Sequence, residues 1–153
     1  IIGHYGVNKE GSGDMYPKGA LMLNTIRHIV NDDAKWWAML LKYSETYKKQ
    51  IIDTQTVVDF FTKESGINLT PVFNQYLRYV TIPGLTFKIQ KGKLAYRWKV
   101  YEPNFEMPID ISIKGKKHRI KPSSEWTQSD LKVKKIAEVK VPLDKFFVDV
   151  ENE

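Results

Sequence analysis

At Ile82-Pro83-Gly84 the hydrophobic period of the chain changes, and no other feature constrains the fold as much. Before this point apolar residues recur at three- and four-residue steps; after it they alternate with polar ones. One segment cannot satisfy both periods, because a helix gathers one face every 3.6 residues and a strand every second residue. The spacing therefore predicts an α+β chain of two parts in series. Residues 1 to 82 should form an antiparallel helical module and residues 83 to 153 a small antiparallel β-sandwich.

Four helices are expected in the first part. Gly3, Gly6, Gly11 and Gly13 fall among polar residues, so residues 1 to 14 read as a loop. Pro17 suits a first helical turn, where its missing N–H would have had no partner, and Asp14 can accept from free N–H groups there. That helix starts near Tyr16, buries a stripe of Ala20, Leu21, Leu23, Ile26 and Val30, and ends at Asn31-Asp32-Asp33. Asp32 or Asp33 caps a second helix, whose Trp36, Trp37, Leu40, Leu41, Tyr43 and Tyr47 make a broad apolar surface suited to lying between neighbours. Thr54 reads as the cap of a third helix carrying Val57, Val58, Phe60 and Phe61, with Gly66 as its left-handed end. Asn68 to Pro71 opens a fourth, with Val72, Phe73, Tyr76, Leu77 and Val80 as its stripe. Such short connections favour antiparallel packing.

Beyond the switch, Leu85, Phe87 and Ile89 alternate with polar residues, Lys91-Gly92 offers a turn, and Leu94, Tyr96, Trp98 and Val100 alternate again. This is a hairpin pattern. Ile109, Ile111 and Ile113 continue it, Gly115 offers a second turn before His118 to Lys121, and Val139, Val141, Phe146, Phe147, Val148 and Val150 supply the last strands. Residues 122 to 135 read as the longest loop.

Charge is unevenly spread. Residues 1 to 82 hold nine Lys/Arg against eight Asp/Glu, and residues 83 to 153 hold fifteen against ten, so the excess lies in the β half. A basic half can meet nucleic acid. These lysines are dispersed along strands and turns, however, as solvated side chains are, and nucleic acid is not expected as a partner. No apolar run approaches the eighteen or so residues of a spanning helix, so no membrane span is expected. With no cysteine in the chain, disulfides, thiolate zinc sites and Cys nucleophiles are all excluded. The chain opens at Ile1 without an initiator Met and reads as a mature or excised piece, which leaves its compartment open.

Few residues are placed for catalysis. His4, His28 and His118 are far apart, with no partner at the spacing of a helical zinc site, and the chain contains no HExxH. The segment Gly6 to Gly13 lacks the Gly-Lys-Ser/Thr end of a phosphate-binding loop. Asp32 and Asp33 could do acid and base work, but adjacent carboxylates at a helix start are more often caps. Tyr16 is left, at the mouth of a helix beside a glycine-rich loop, where a phenol would be a neutral hydrogen-bond donor.

Tyr16-Pro17-Lys18-Gly19-Ala20, followed by Leu23 and Arg27, resembles the Tyr-x-Lys-Gly-Ala segment of the aminopeptidase N-like zinc aminopeptidases, which are gluzincin metallopeptidases. The likeness continues through Thr54 to Phe61, Ser65-Gly66, Asn68-Leu69, Phe73 to Leu77 and Ile82 to Leu85, an ordered series over residues 16 to 85. It implies that the helical part is the second half of a thermolysin-like catalytic domain, and that the β part is the small sandwich that follows it. In the family, the tyrosine matching Tyr16 donates a hydrogen bond to the oxyanion formed on the scissile peptide. Lys18 and Gly19 are assigned to structure, as a snorkelling cation and a small residue allowing close helix approach. Tyr5, Asn8 and Glu10 in the preceding loop are candidates to line the substrate cleft.

The HExxH helix, the downstream Glu of the zinc site and the Gly-x-Met-Glu-Asn strand that binds the substrate amine are not in these 153 residues. The resemblance therefore implies zinc in an intact parent enzyme, none bound by this piece, and no peptide hydrolysis by the piece alone. Its partners would be the peptide substrate, the missing N-terminal part of the catalytic domain and, through an uncovered apolar face, a second copy. The alternative is a non-catalytic interaction module on the same scaffold.

Overall fold

The computed structural model describes residues 13–153. Four helices come first: α1 (Met15–Val30), α2 (Asp33–Thr46), α3 (Thr54–Ser65) and α4 (Thr70–Arg78). Seven strands follow: β1 (Gly84–Gln90), β2 (Lys93–Lys99), β3 (Ile109–Ile113), β4 (Lys116–Ile120), β5 (Thr127–Lys132), β6 (Val139–Lys140) and β7 (Asp149–Asn152). The chain is thus α+β, with the change of element type at Gly84, where the period switches.

Local chemistry sets the helix ends. Asp32 caps α2, its Oδ1 accepting from Lys35 N at 2.9 Å. At α3 the cap is Asp53 and not Thr54, because Asp53 Oδ1 reaches both Thr56 N at 2.8 Å and Thr56 Oγ1 at 2.6 Å. Those bonds favour the ionised carboxylate and hold Asp53 below its usual range. Gly66, at φ 70°, ends α3 in the left-handed region. Helix α4 begins behind Leu69, with Pro71 in its first turn and Asn68 Oδ1 accepting from Thr70 N at 3.3 Å.

The strands form two sheets, of order β5-β2-β1-β7 and β4-β3-β6, and neither is closed into a barrel. Both hairpin turns fall where the sequence places them. Lys91 and Gly92 have φ of 53° and 72°, Lys114 and Gly115 have 51° and 82°, and two successive positive φ values match the right-handed twist of the flanking strands. Three expectations are corrected. Residues 127 to 132 are strand β5, paired with β2. Strand β7 runs parallel to β1, so the sheet is mixed. Val141, Phe146, Phe147 and Val148 lie in the connection between β6 and β7, not in a strand.

One apolar cluster runs through both halves. It includes Ile26 and Ile29 of α1, Phe61 of α3, Phe73 and Tyr76 of α4, Leu85, Phe87 and Trp98 of the first sheet, Ile109 and Ile111 of the second, and Phe146. Polar bonds cross the joint as well. The buried Gln75 donates to Thr81 O at 2.9 Å and accepts from Tyr101 N at 3.1 Å and Glu102 N at 3.0 Å. The core therefore fixes the helical face on the β half, while the opposite helical face is free to carry a site.

Candidate functional site

The site is built on the start of α1. Asp14 O accepts from Lys18 N at 2.9 Å and closes the first turn, which contains Tyr16 and Pro17. The far end is tied down by Arg119 of β4, whose Nη2 donates to His28 O at 3.0 Å and Ile29 O at 2.6 Å. A cation on the last carbonyls both satisfies them and complements the helix dipole. Lys18 Nζ donates to Tyr79 O at 3.1 Å, pinning the first turn of α1 to the end of α4. This agrees with a structural role for Lys18.

Helix α1 buries Met22, Thr25, Ile26 and Ile29. That face is rotated from the expected stripe, and Leu21 and Leu23 are exposed. Tyr16, Ala20 and Leu23, spaced by four and three residues, share the outward face. Tyr16 is 75% exposed, so its phenol stands away from the described chain. A Cβ added at Gly19 would meet nothing within 4 Å, so among the described residues Gly19 does not serve close helix approach, contrary to the sequence reading.

The outward face continues onto α2. Arg27 pairs with Asp33 through bonds of 2.8 and 2.7 Å and lies over the Trp37 ring at 5.3 Å from its centroid. The bond to Arg27 lowers the Asp33 carboxyl, and the same bond raises the Arg27 guanidinium. Trp37 and Leu41, one helical turn apart, are 56% and 61% exposed, while Trp36 and Met39 fill the core side. The expectation that the whole aromatic surface of α2 lies between neighbours is thus corrected: the helix has one packed face and one uncovered one. Sequence periodicity could not separate them, since both faces of α2 are apolar.

Two cavities flank the base of α1. One of about 150 Å³ lies between Met15, Lys18, Gly19 and Met22 and the end of α4 at Tyr76 to Val80. The other, of about 270 Å³, lies beside Pro17 and Leu21 against Ile82 and Phe147. Tyr16 lines neither, because it points to the opposite side of the helix. Tyr5, Asn8 and Glu10 lie outside the described residues.

Neither described histidine lies near Tyr16. His28 sits on α1 against the Phe146 ring, 5.8 Å between centroids, and burial, then the charges of Lys145 and Arg27, lower its pKa. His118 lies on β4, opposite Ile111. Among the described residues no group of three or more His, Asp or Glu side chains is arranged to hold a metal ion, so the described residues do not fit a zinc site. No helix among them is long and apolar enough to cross a membrane. Compared with known proteins, the chain matches no family model and no curated protein.

Proposed function

We propose that this chain is the C-terminal part of a zinc-dependent aminopeptidase, and that Tyr16 is its hydrogen-bond donor to the oxyanion of the scissile peptide. The observation that carries the reading is the pairing of motif with placement. The Tyr-x-Lys-Gly-Ala segment opens a helix, its Tyr16 is 75% exposed on the outward face, and its Lys18 is spent on holding that helix in place. A donor preorganised on the first turn of a fixed helix stabilises developing negative charge without having to reorganise during the reaction.

Under this reading zinc and its ligands belong to a part of the enzyme that covers the outward face of α1 and α2. The chain itself supplies the phenol and an apolar seat made by Ala20, Leu23, Trp37 and Leu41. It therefore hydrolyses no peptide alone. In the intact enzyme, Tyr16→Phe lowers kcat by roughly a hundredfold to a thousandfold with a much smaller change in KM. An unchanged kcat removes Tyr16 from the reaction, and aminoacyl-anilide cleavage by the purified chain alone removes the fragment reading. A second reading, a non-catalytic interaction module, draws on the exposed Trp37 and Leu41 and predicts that the parent protein lacks an intact HExxH motif.

A further inference from the structure

On the side of the molecule formed by the second sheet, four residues from three strands and a turn meet at one cavity. Strand β3 alternates: Ile109, Ile111 and Ile113 face the core, and Asp110 and Ser112 face outward. Ser112 lies directly opposite Lys117 on β4 and directly opposite Lys140 on β6. Directly paired residues share a face, so both lysines rise on the Ser112 side. With strands about 4.8 Å apart, their Cα atoms stand roughly 10 Å from each other with Ser112 midway. Each lysine carries its ammonium on a flexible four-carbon stem, long enough to close over that hydroxyl.

Lys145 completes the set from the turn after β6. The turn is fixed by Lys145 N donating to Pro142 O at 3.0 Å. Asn24 Nδ2 of α1 also donates to Asp144 O at 3.0 Å and to Lys145 O at 3.4 Å. Lys117, Lys140, Lys145 and Ser112 line a cavity of about 200 Å³ together with Asp110, Val141 and neighbouring backbone. The one carboxylate there among the described residues is taken, since Asp110 Oδ1 pairs with Arg119 Nη1 at 2.9 Å. Among the described residues none of the three lysines enters an ion pair, so cationic charge is in excess around a cavity whose lining carboxylate, Asp110, is paired with Arg119.

We propose that this cavity is an anion site in which Lys117, Lys140 and Lys145 converge over Ser112 to bind a small, multiply charged phosphate group. Charged edges alone explain less. Lysines on edge strands do keep sheets from pairing with one another, and β4 and β6 are the edges of this sheet. Lys145, however, is on no strand, is half-buried, and is held in place from α1. The size of the cavity, several waters of about 30 Å³ each, suits phosphate or pyrophosphate. Among the described residues no aromatic side chain lines it, so these offer no stacking platform of the kind a single-stranded nucleic-acid site uses. The site is independent of the aminopeptidase reading, because its lining residues lie on the β half and none belongs to the outward face of α1 that carries Tyr16.

The test is calorimetric titration of the full chain with pyrophosphate at low, constant ionic strength. The expected result is saturable binding of one equivalent, weakened about tenfold or more by the double substitution Lys140→Gln with Lys145→Gln, as expected for the loss of two charge-assisted bonds. Ser112→Ala weakens it less, and Lys48→Gln at the end of α2 leaves it unchanged. Circular dichroism on each variant checks that the fold is retained, which these exposed or half-exposed positions allow. Absence of saturable binding overturns the proposal. So does binding that survives the double substitution, or that falls equally with Lys48→Gln.

Discussion

The Tyr76 hydroxyl donates to the Phe147 carbonyl at 2.7 Å, and the two rings stack 6.0 Å apart at 14°. This contact joins α4 to the turn before β7, across the line where the chain changes from helix to strand. The other backbone group of Phe147 is held too, its N–H donating to Thr25 Oγ1 of α1 at 2.9 Å. Thr25 in turn donates to Leu21 O at 2.9 Å, so it acts as a relay between the helix and the turn. Burial raises the Tyr76 phenol far above its ordinary range, so its proton stays on this bond.

Tyr76→Phe should cost about 1 to 2 kcal/mol, because it leaves a part-buried carbonyl without its donor while keeping the ring. Thr25→Val should cost a similar amount by orphaning the Phe147 N–H. The two substitutions act on the two backbone groups of one residue, so the double variant should differ from the sum of the single ones by about 0.5 kcal/mol or more. Urea unfolding of the four proteins measures this. Strict additivity would show that the two bonds are independent.

Gln75 is the larger liability. Its amide serves three backbone groups at once, Thr81 O, Tyr101 N and Glu102 N, and it is fully buried. Gln75→Met keeps the length of the side chain and removes every one of these bonds. At about 1 to 3 kcal/mol for each buried group left unsatisfied, the variant should lose roughly 3 kcal/mol or more. A loss below about 1 kcal/mol in equilibrium unfolding would mean that water replaces the amide.

His28 makes stability depend on pH. Burial and the nearby cations Lys145 and Arg27 lower its folded pKa, while Asp33 and Asp110 act the other way. Unfolded histidine titrates near ~6.5. Below that value the unfolded chain binds a proton that the folded chain resists, so stability is full above about pH 6.5 and falls as pH drops towards the lower folded pKa. His28→Gln should flatten the melting temperature between about pH 7 and pH 5 relative to the parent. An unchanged slope would assign the acid dependence to carboxylates such as Asp53, whose folded pKa is also lowered.

How much of this was legible in the sequence follows from the range of the forces involved. Turns and caps are local, and Lys91-Gly92, Lys114-Gly115 and Gly66 could be read directly, since a positive φ needs only the residue and its neighbours. Strand β5 could not: Thr127–Lys132 holds one strongly apolar residue, Leu131, and becomes a strand because β2 offers it a free edge. The parallel pairing of β7 with β1 depends on a contact made across the whole β half. At the candidate site, Tyr16 was found through a motif, whereas the exposure of Trp37 and Leu41 depends on which apolar face of α2 finds a partner. The Lys117–Ser112–Lys140 row is visible only once the register of three strands is known. In sequence order its lysines look dispersed.

The uncovered face of α1 and α2 gives the last prediction. A tryptophan carries roughly 200 Å² of apolar surface, and leaving Trp37 and Leu41 in water forgoes several kcal/mol of burial. If, as proposed, the chain belongs to a larger enzyme whose other part covers this face, Trp37→Gln with Leu41→Gln should have opposite consequences in two settings. In the isolated chain the pair should leave the unfolding free energy within about 0.5 kcal/mol, since neither side chain is in the core. It should also reduce concentration-dependent self-association in sedimentation. In the intact enzyme the same pair should lower the melting temperature by several degrees, as expected for a loss of several kcal/mol from a large domain. A destabilised isolated chain would place both residues in its own core, and an unaffected intact enzyme would mean that the face looks into water there too.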